Sequence, residues 1–230
     1  MDNLGINRHY APMTKIRIFE TTEALISETE QLLRDTLAQP GNLMLSGGST
    51  PYVIYNRLAA NPCPVHPQRN LFLSDERMAP FSSPKNNAHN LLPFLQALDC
   101  HGRFLQVDTT LSARAAAAHF EEGLEKMETV DLGFLGMGPD GHTAGFFTNE
   151  QANMKTGALA LHTDRPDGME GVSVTPAFFK RVERIILLVT GESKRKVINT
   201  LLKNPQSIPA GIALADHPTV ELWTDIPTSA

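Results

Sequence analysis

Four short apolar runs in this chain stop abruptly at polar segments, most of them rich in glycine. Leu43-Met44-Leu45 precedes Ser46-Gly47-Gly48-Ser49-Thr50, and Leu71-Phe72-Leu73 precedes Ser74-Asp75-Glu76-Arg77. Leu132-Gly133-Phe134-Leu135 precedes Gly136-Met137-Gly138-Pro139-Asp140-Gly141-His142, and Ile185-Ile186-Leu187-Leu188-Val189 precedes Thr190-Gly191-Glu192-Ser193-Lys194. Runs of this length without polar alternation have the pattern of parallel strands buried on both faces. Open α/β sheets bind ligands just beyond the carboxyl ends of such strands, so the four loops are expected to converge. Together they carry backbone amides, hydroxyls, carboxylates, an arginine, a lysine and a histidine, a set suited to a small, polar, anionic ligand.

The rest of the pattern agrees. Residues 15–19 read as a first strand and 220–223 as a last one, and Thr21-Thr22-Glu23 opens a helix running to about Leu37. Apolar spacing of three and four predicts helices over 52–60, 87–98, 112–127 and 193–202. Alternating strands and helices predict an α/β fold: one doubly wound domain over 1–230, with a mostly parallel central sheet flanked by helices. The proline-broken stretch 61–67 is a connection within that domain, because a strand resumes directly after it. Segment 149–171 is the least regular, with a strand expected at 158–162 and a turn at Arg165-Pro166-Asp167-Gly168.

Composition narrows the class. A chain of 230 residues can bury a core without metals or disulfides. The two cysteines, Cys63 and Cys100, have no ligand spacing, which points to a reduced, cytoplasmic protein. The segment Met1-Asp2-Asn3-Leu4-Gly5 lacks a signal-peptide pattern, and no run approaches the roughly 20 apolar residues that span a bilayer, so no membrane is expected. Twenty basic side chains are scattered among 25 acidic ones for a net charge of −5, which argues against nucleic acid. The one dense basic patch, Lys194-Arg195-Lys196, opens a helix and suits a local anion site.

Each loop has its own chemistry. Ser46 to Pro51 joins strand to helix through two glycines, which offers unpaired amides to an anion or oxyanion; it lacks the Gly-Lys-Ser/Thr ending of a P-loop. Gly136-Met137-Gly138-Pro139-Asp140-Gly141 has the spacing of a dinucleotide fingerprint, with Asp164 near the ribose-acid position. Its chemistry is wrong for that role: Asp140 would face a pyrophosphate, Pro139 removes an amide, and Gly145 and Asn149 interrupt the helix that must follow. A turn presenting Asp140 and His142 together is the better reading, whereas His89, His101, His119, His162 and His217 are read as surface or packing residues. Asp75-Glu76-Arg77 alone would be a local salt bridge, but beside the other loops its arginine can fork onto phosphate or carboxylate. Ser193 is expected to cap the last long helix, leaving Lys194 in a first turn whose dipole disfavours a cation unless an anion is bound there.

Taken in order, these motifs resemble the 6-phosphogluconolactonases of the glucosamine-6-phosphate isomerase/deaminase superfamily. The resemblance runs from Leu45-Ser46-Gly47-Gly48-Ser49-Thr50-Pro51, through Ser74-Asp75-Glu76-Arg77 with Pro80 and Asn87, to Leu135 through Ala144, Val189 through Lys194, and Pro209-Ala210. It implies a hydrolase without metal or cofactor that opens 6-phosphoglucono-δ-lactone to 6-phosphogluconate in the oxidative pentose phosphate pathway, working as a monomer. In that reading His142 is the general base, and Asp140 or Asp75 fixes its tautomer. Ser46, Gly47, Gly48, Ser49 and Thr50 meet the oxyanion or the sugar hydroxyls, while Arg77 and Lys194 hold the phosphate. The chain departs from the family at Gly145-Phe146-Phe147-Thr148, where Ser-Leu-Phe-Pro is usual, and at Asn86, where serine is common. Two rival readings are a glucosamine-6-phosphate isomerase/deaminase and a non-catalytic sugar-phosphate sensor. The first uses a glutamate where this chain has Phe147 and Asp-Glu-Tyr where it has Asp75-Glu76-Arg77; the second would need no base.

Overall fold

The computed structural model describes residues 15–228, so Met1 to Gly5 lie outside the described residues. In chain order the elements are β1 (Lys15–Ile18), α1 (Thr22–Leu37), β2 (Gly41–Leu45), α2 (Ser49–Ala60), β3 (Arg69–Leu73), β4 (Asp75–Arg77), α3 (Asn87–Ala97), β5 (Phe104–Leu105) and α4 (Ala113–Glu125). They continue with β6 (Leu132–Gly136), α5 (Asn149–Ala152), β7 (Ala160–Asp164), β8 (Glu170–Val174), α6 (Pro176–Phe179), β9 (Ile185–Val189), α7 (Arg195–Lys203), α8 (Pro209–Ala213) and β10 (Val220–Thr224).

Seven strands form one sheet in the order β1-β10-β9-β6-β2-β3-β5, and every pairing in it is parallel. Side chains alternate between its faces, as strand geometry requires. Leu43, Leu45, Leu71, Phe134 and Ile186 join a core with Leu25 and Leu33 of α1, Ile54 of α2 and Leu91 of α3. Met44, Phe72, Leu135, Ile185 and Leu187 join the opposite core with Phe120 of α4, Phe178 of α6 and Ile198 of α7. This is the doubly wound layering expected from the uninterrupted apolar runs. From β2 the chain builds outward to β3 and β5, then returns to the other side with β6, β9 and β10. The order therefore reverses between β2 and β6, where a ligand crevice is expected. Helix α1 starts where predicted, with the Thr21 side chain accepting a hydrogen bond from the Ala24 amide at 3.0 Å.

Three features differ from the sequence reading. Asp75–Arg77 is not a loop but the edge of a second, three-stranded antiparallel sheet, β4-β8-β7, with Asp75 opposite Ser173 and Arg77 opposite Gly171. Three charged residues show no strand pattern of their own; their pairing is dictated by β8, whose Val172 and Val174 are fully buried. Ser193 caps no helix. A 3₁₀ turn over Glu192–Lys194 comes first, and Lys194 itself is the residue ahead of α7. Its side chain instead reaches away to donate to the Met137 carbonyl at 2.7 Å. The strand expected at 158–162 forms two residues later as β7, and the turn after it closes through the Gly168 amide on the Arg165 carbonyl at 3.1 Å. Cys63 and Cys100 are free thiols, and no helix of the described residues is long and apolar enough to cross a membrane.

Candidate active site

Beyond β2, the chain turns through Ser46 and Gly47 into α2. Gly48, at φ +123°, is the residue ahead of the helix, a backbone conformation that disfavours any side chain. No side chain caps this helix, so its first amides stay open toward the crevice. Ser46 Oγ is buried without a hydrogen-bond partner. Thr50 Oγ1 lies 2.7 Å from Thr190 Oγ1 and ties this loop to the one after β9.

No helix follows β6 directly. The Gly138 amide donates to the His142 carbonyl at 2.9 Å and the Gly141 amide to Gly138 at 3.0 Å, closing a tight turn where a dinucleotide fold needs a helix start. The turn sets His142 Nδ1 2.5 Å from Asp140 Oδ1, which also accepts from the His142 amide at 3.2 Å. A Cβ on Gly138 would run into both the imidazole and this carboxylate, so the pair can form only over glycine. Burial works against the Asp140 carboxylate, but the neighbouring imidazole and its hydrogen bonds outweigh it and hold the pKa below the ordinary value. With Nδ1 engaged, Nε2 is the ring nitrogen left for a ligand. The Phe147 ring packs on the imidazole at 4.6 Å between centroids, and the Arg165 guanidinium lies 4.7 Å from the centroid of that same Phe147 ring.

After β3, Glu76 is only 2% exposed, and its carboxylate accepts from the backbone amides of Arg77 at 2.8 Å and of Asn87 and Ala88 at 2.7 Å each. It thus anchors the start of α3 to β4. Burial pushes its pKa up to about 7, against those three amides, which favour the anion. The Asn87 side chain then accepts from Arg77 Nη1 and from the Tyr52 hydroxyl, both at 2.8 Å. Asp75 accepts from Ser74 Oγ at 3.0 Å, whereas the imidazole's carboxylate partner is Asp140. Burial lowers the pKa of Lys194, partly offset by the charge of Asp140.

These groups enclose a cavity of about 250 Å³. Ser46, Gly47, Gly48, Ser49, Thr50, Asp75, Arg77, His142 and Lys194 line it, whereas Asp140 reaches it through His142 and Glu76 and Ser193 lie outside it. Asn87, Phe147 and Arg165 line it as well. Only the loop after β9 also reaches a wider depression, of about 680 Å³, along α7. Among the described residues no group of three or more His, Cys, Asp or Glu side chains is placed to hold a metal ion.

The family model for glucosamine-6-phosphate isomerases/6-phosphogluconolactonase matches residues 19–223. The chain belongs to this family. A 6-phosphogluconolactonase of Thermotoga maritima is 32% identical over 168 residues, covering 70% of this chain and 74% of its own. One of Haemophilus influenzae is 29% identical over 225 residues, covering 90% of this chain and 95% of its own. The crystal structure of a 6-phosphogluconolactonase from Shewanella baltica shares the fold, with a TM-score of 0.81 at 23% identity over 94% of this chain and 99% of its own. Within the family, the loops after β2, β3, β6 and β9 of this chain meet at one crevice across the point where strand order reverses.

Proposed function

We propose that this chain hydrolyses 6-phosphoglucono-δ-lactone to 6-phosphogluconate, with His142 as general base. The observation that carries the reading is the Asp140–His142 pair at the cavity wall. Asp140 fixes the tautomer in which Nε2 is free to take a proton from water. The water oxygen adds to the lactone carbonyl carbon, and the carbonyl electrons move to an oxyanion. Collapse breaks the bond to the ring oxygen, which receives the proton back from Nε2, so one water is consumed and the base is regenerated. Open amides around Gly47 and Gly48, with the hydroxyls of Ser46, Ser49 and Thr50, donate to the oxyanion or to the sugar hydroxyls. Asp75 accepts from sugar hydroxyls. Arg77, steadied by Asn87, and Lys194 meet the phosphate. The protein acts as a cytoplasmic monomer on a small phosphorylated lactone.

The family also contains glucosamine-6-phosphate isomerases, whose chemistry moves a proton between adjacent carbons and needs a second acid/base group. Phe147 packs on the His142 ring and cannot transfer a proton. The test is a paired assay: hydrolysis of freshly generated 6-phosphogluconolactone, corrected for its spontaneous opening, and ammonia release from glucosamine 6-phosphate. Lactone hydrolysis without ammonia release is expected. Comparable ammonia release would transfer the chain to the isomerase branch. Phe147→Glu is expected to release none either, since a carboxylate without a supporting shell is rarely held in working geometry.

A further inference from the structure

Asp75 and Arg77 line the cavity, and Glu76 between them is buried in the protein, as the alternation of a strand requires. Its Oε1 accepts from the Arg77 and Asn87 amides at 2.8 and 2.7 Å, and its Oε2 from the Ala88 amide at 2.7 Å. Helix α3 has a local cap without it, because the Asn86 side chain accepts from the His89 amide at 2.8 Å. Glu76 instead takes the amides of the first two helical residues from a different element, and so fixes where α3 begins relative to β4. Burial works against the charged form of this carboxylate, a penalty that a neutral side chain would not carry. What the clamp fixes is the Asn87 side chain. Its Oδ1 accepts from Arg77 Nη1 and from the Tyr52 hydroxyl, both at 2.8 Å, and its Nδ2 donates to the Asp75 carbonyl at 3.0 Å. Asn87 also lies so close to Gly47 that a Cβ on that glycine would meet Oδ1 at 2.6 Å. One side chain thus joins α2, β4 and the glycine loop after β2.

We propose that Glu76 is a positioning residue of the site: its carboxylate sets the start of α3 on β4, and Asn87, carried by that helix, aims the Arg77 guanidinium into the cavity. The proposal deepens the lactonase reading and rests on it. Arg77 Nη1 has two acceptors, Asn87 Oδ1 and the Lys85 carbonyl at 3.1 Å, so its direction depends on where Asn87 stands. Without the Glu76 carboxylate the Asn87 and Ala88 amides lose their acceptor, and the helix start is free to shift along β4. A displacement of about 0.5 Å is enough to spoil the aim of a binding group. The effect falls on ligand binding, not on the chemical step, because His142 and Asp140 stand on the separate loop after β6.

The test is a double-substitution cycle of Glu76→Gln and Arg77→Ala, singly and together, with folding of each variant checked by thermal melts. It is read by calorimetric binding of 6-phosphogluconate, which needs no turnover, and by kcat and KM on the phosphorylated lactone. Glu76→Gln keeps the size of the side chain and removes its charge. It is expected to weaken 6-phosphogluconate by about tenfold and to raise KM in step, with kcat nearly kept. In the Arg77→Ala background the same substitution is expected to cause no further loss, since the group it aims is gone. The proposal is overturned if Glu76→Gln binds 6-phosphogluconate like the wild type, or if its loss adds in full to that of Arg77→Ala, which would mark Glu76 as structural. Should Glu76→Gln fail to fold, Glu76→Asp, which draws the carboxylate back by one methylene, enters the same cycle, and either result in it overturns the proposal equally. Wild-type lactone hydrolysis that persists alongside either result confines the failure to Glu76. A wild-type chain that binds no 6-phosphogluconate overturns the lactonase reading as well.

Discussion

The two ends of the seven-stranded sheet are built from the same residue types and treat them in opposite ways. At the amino end, Arg69 is 1% exposed and fully engaged: Nε donates to Gln39 at 2.8 Å, Nη2 to Pro40 at 2.7 Å, and Nη1 pairs with Asp131 just ahead of β6. His217, ahead of β10, donates from Nε2 to Val182 at 2.7 Å and accepts the Thr219 amide on Nδ1 at 3.1 Å, leaving neither nitrogen free. At the carboxyl end, His142 has only Nδ1 engaged, Arg165 is short of acceptors, and Ser46 Oγ has no hydrogen-bond partner. Arginine and histidine alone therefore do not mark a site. Hydrogen-bonding capacity left unspent beside a cavity does, because a stable fold otherwise satisfies its enclosed polar groups.

Substitutions at the two ends should separate into losses of turnover and losses of stability. His142→Gln is expected to lower kcat by about 10²-fold or more with Tm nearly unchanged, since a general base commonly contributes that much and a half-exposed loop side chain little packing. Steady-state kinetics beside thermal melts checks this. Arg69→Ala should do the reverse and cost about 3–5 kcal/mol of stability in denaturant titration, by leaving carbonyls and Asp131 without their partner, while kcat/KM per folded molecule is kept. Lys194→Ala should raise KM for the phosphorylated lactone by an amount worth about 1.5–3 kcal/mol and spare glucono-δ-lactone; equal harm to both would place Lys194 at the reacting end.

The smallest effect concerns His217, whose burial holds its pKa below the ordinary 6.5. Above pH 6.5 neither the folded nor the unfolded chain protonates this residue. Below it the unfolded chain takes up a proton that the folded one refuses, so the His217 contribution to stability is lost as pH falls from 6.5 through the folded pKa. In urea titrations between pH 7.5 and about 5, His217→Gln should show a shallower decline than the wild type. An identical slope would mean that His217 titrates alike in both states.

Much of this division was legible in the chain. Apolar runs that end at loops reveal the carboxyl rim because buried parallel strands need no polar alternation, and Asp140 and His142 stand out for sitting in a glycine turn with little apolar surface to cover. The support behind them was hidden. Glu76 meets amides eleven and twelve residues away, and Asn87 joins Arg77 to Tyr52 only once α3 has packed against α2. For Asn87 the signs were its place at the start of a predicted helix beside a polar loop and its place among the motifs that carry the family resemblance. Strand β4 was invisible because its pairing is imposed by β8. Arg165 could be assigned to a turn but not to the cavity, since nothing in the local sequence says that the β7–β8 hairpin folds back over β4.

In the proposed mechanism a histidine with one free nitrogen, fixed by Asp140, drives the opening of a phosphorylated lactone. It is tested most directly by the rate of 6-phosphogluconolactone hydrolysis, corrected for spontaneous opening, for the wild type and His142→Gln at equal folded concentration. The wild type is expected to accelerate the opening strongly, and the variant to be slower by about 10²-fold or more. A wild type no faster than the spontaneous reaction, or a variant as fast as the wild type, would contradict it.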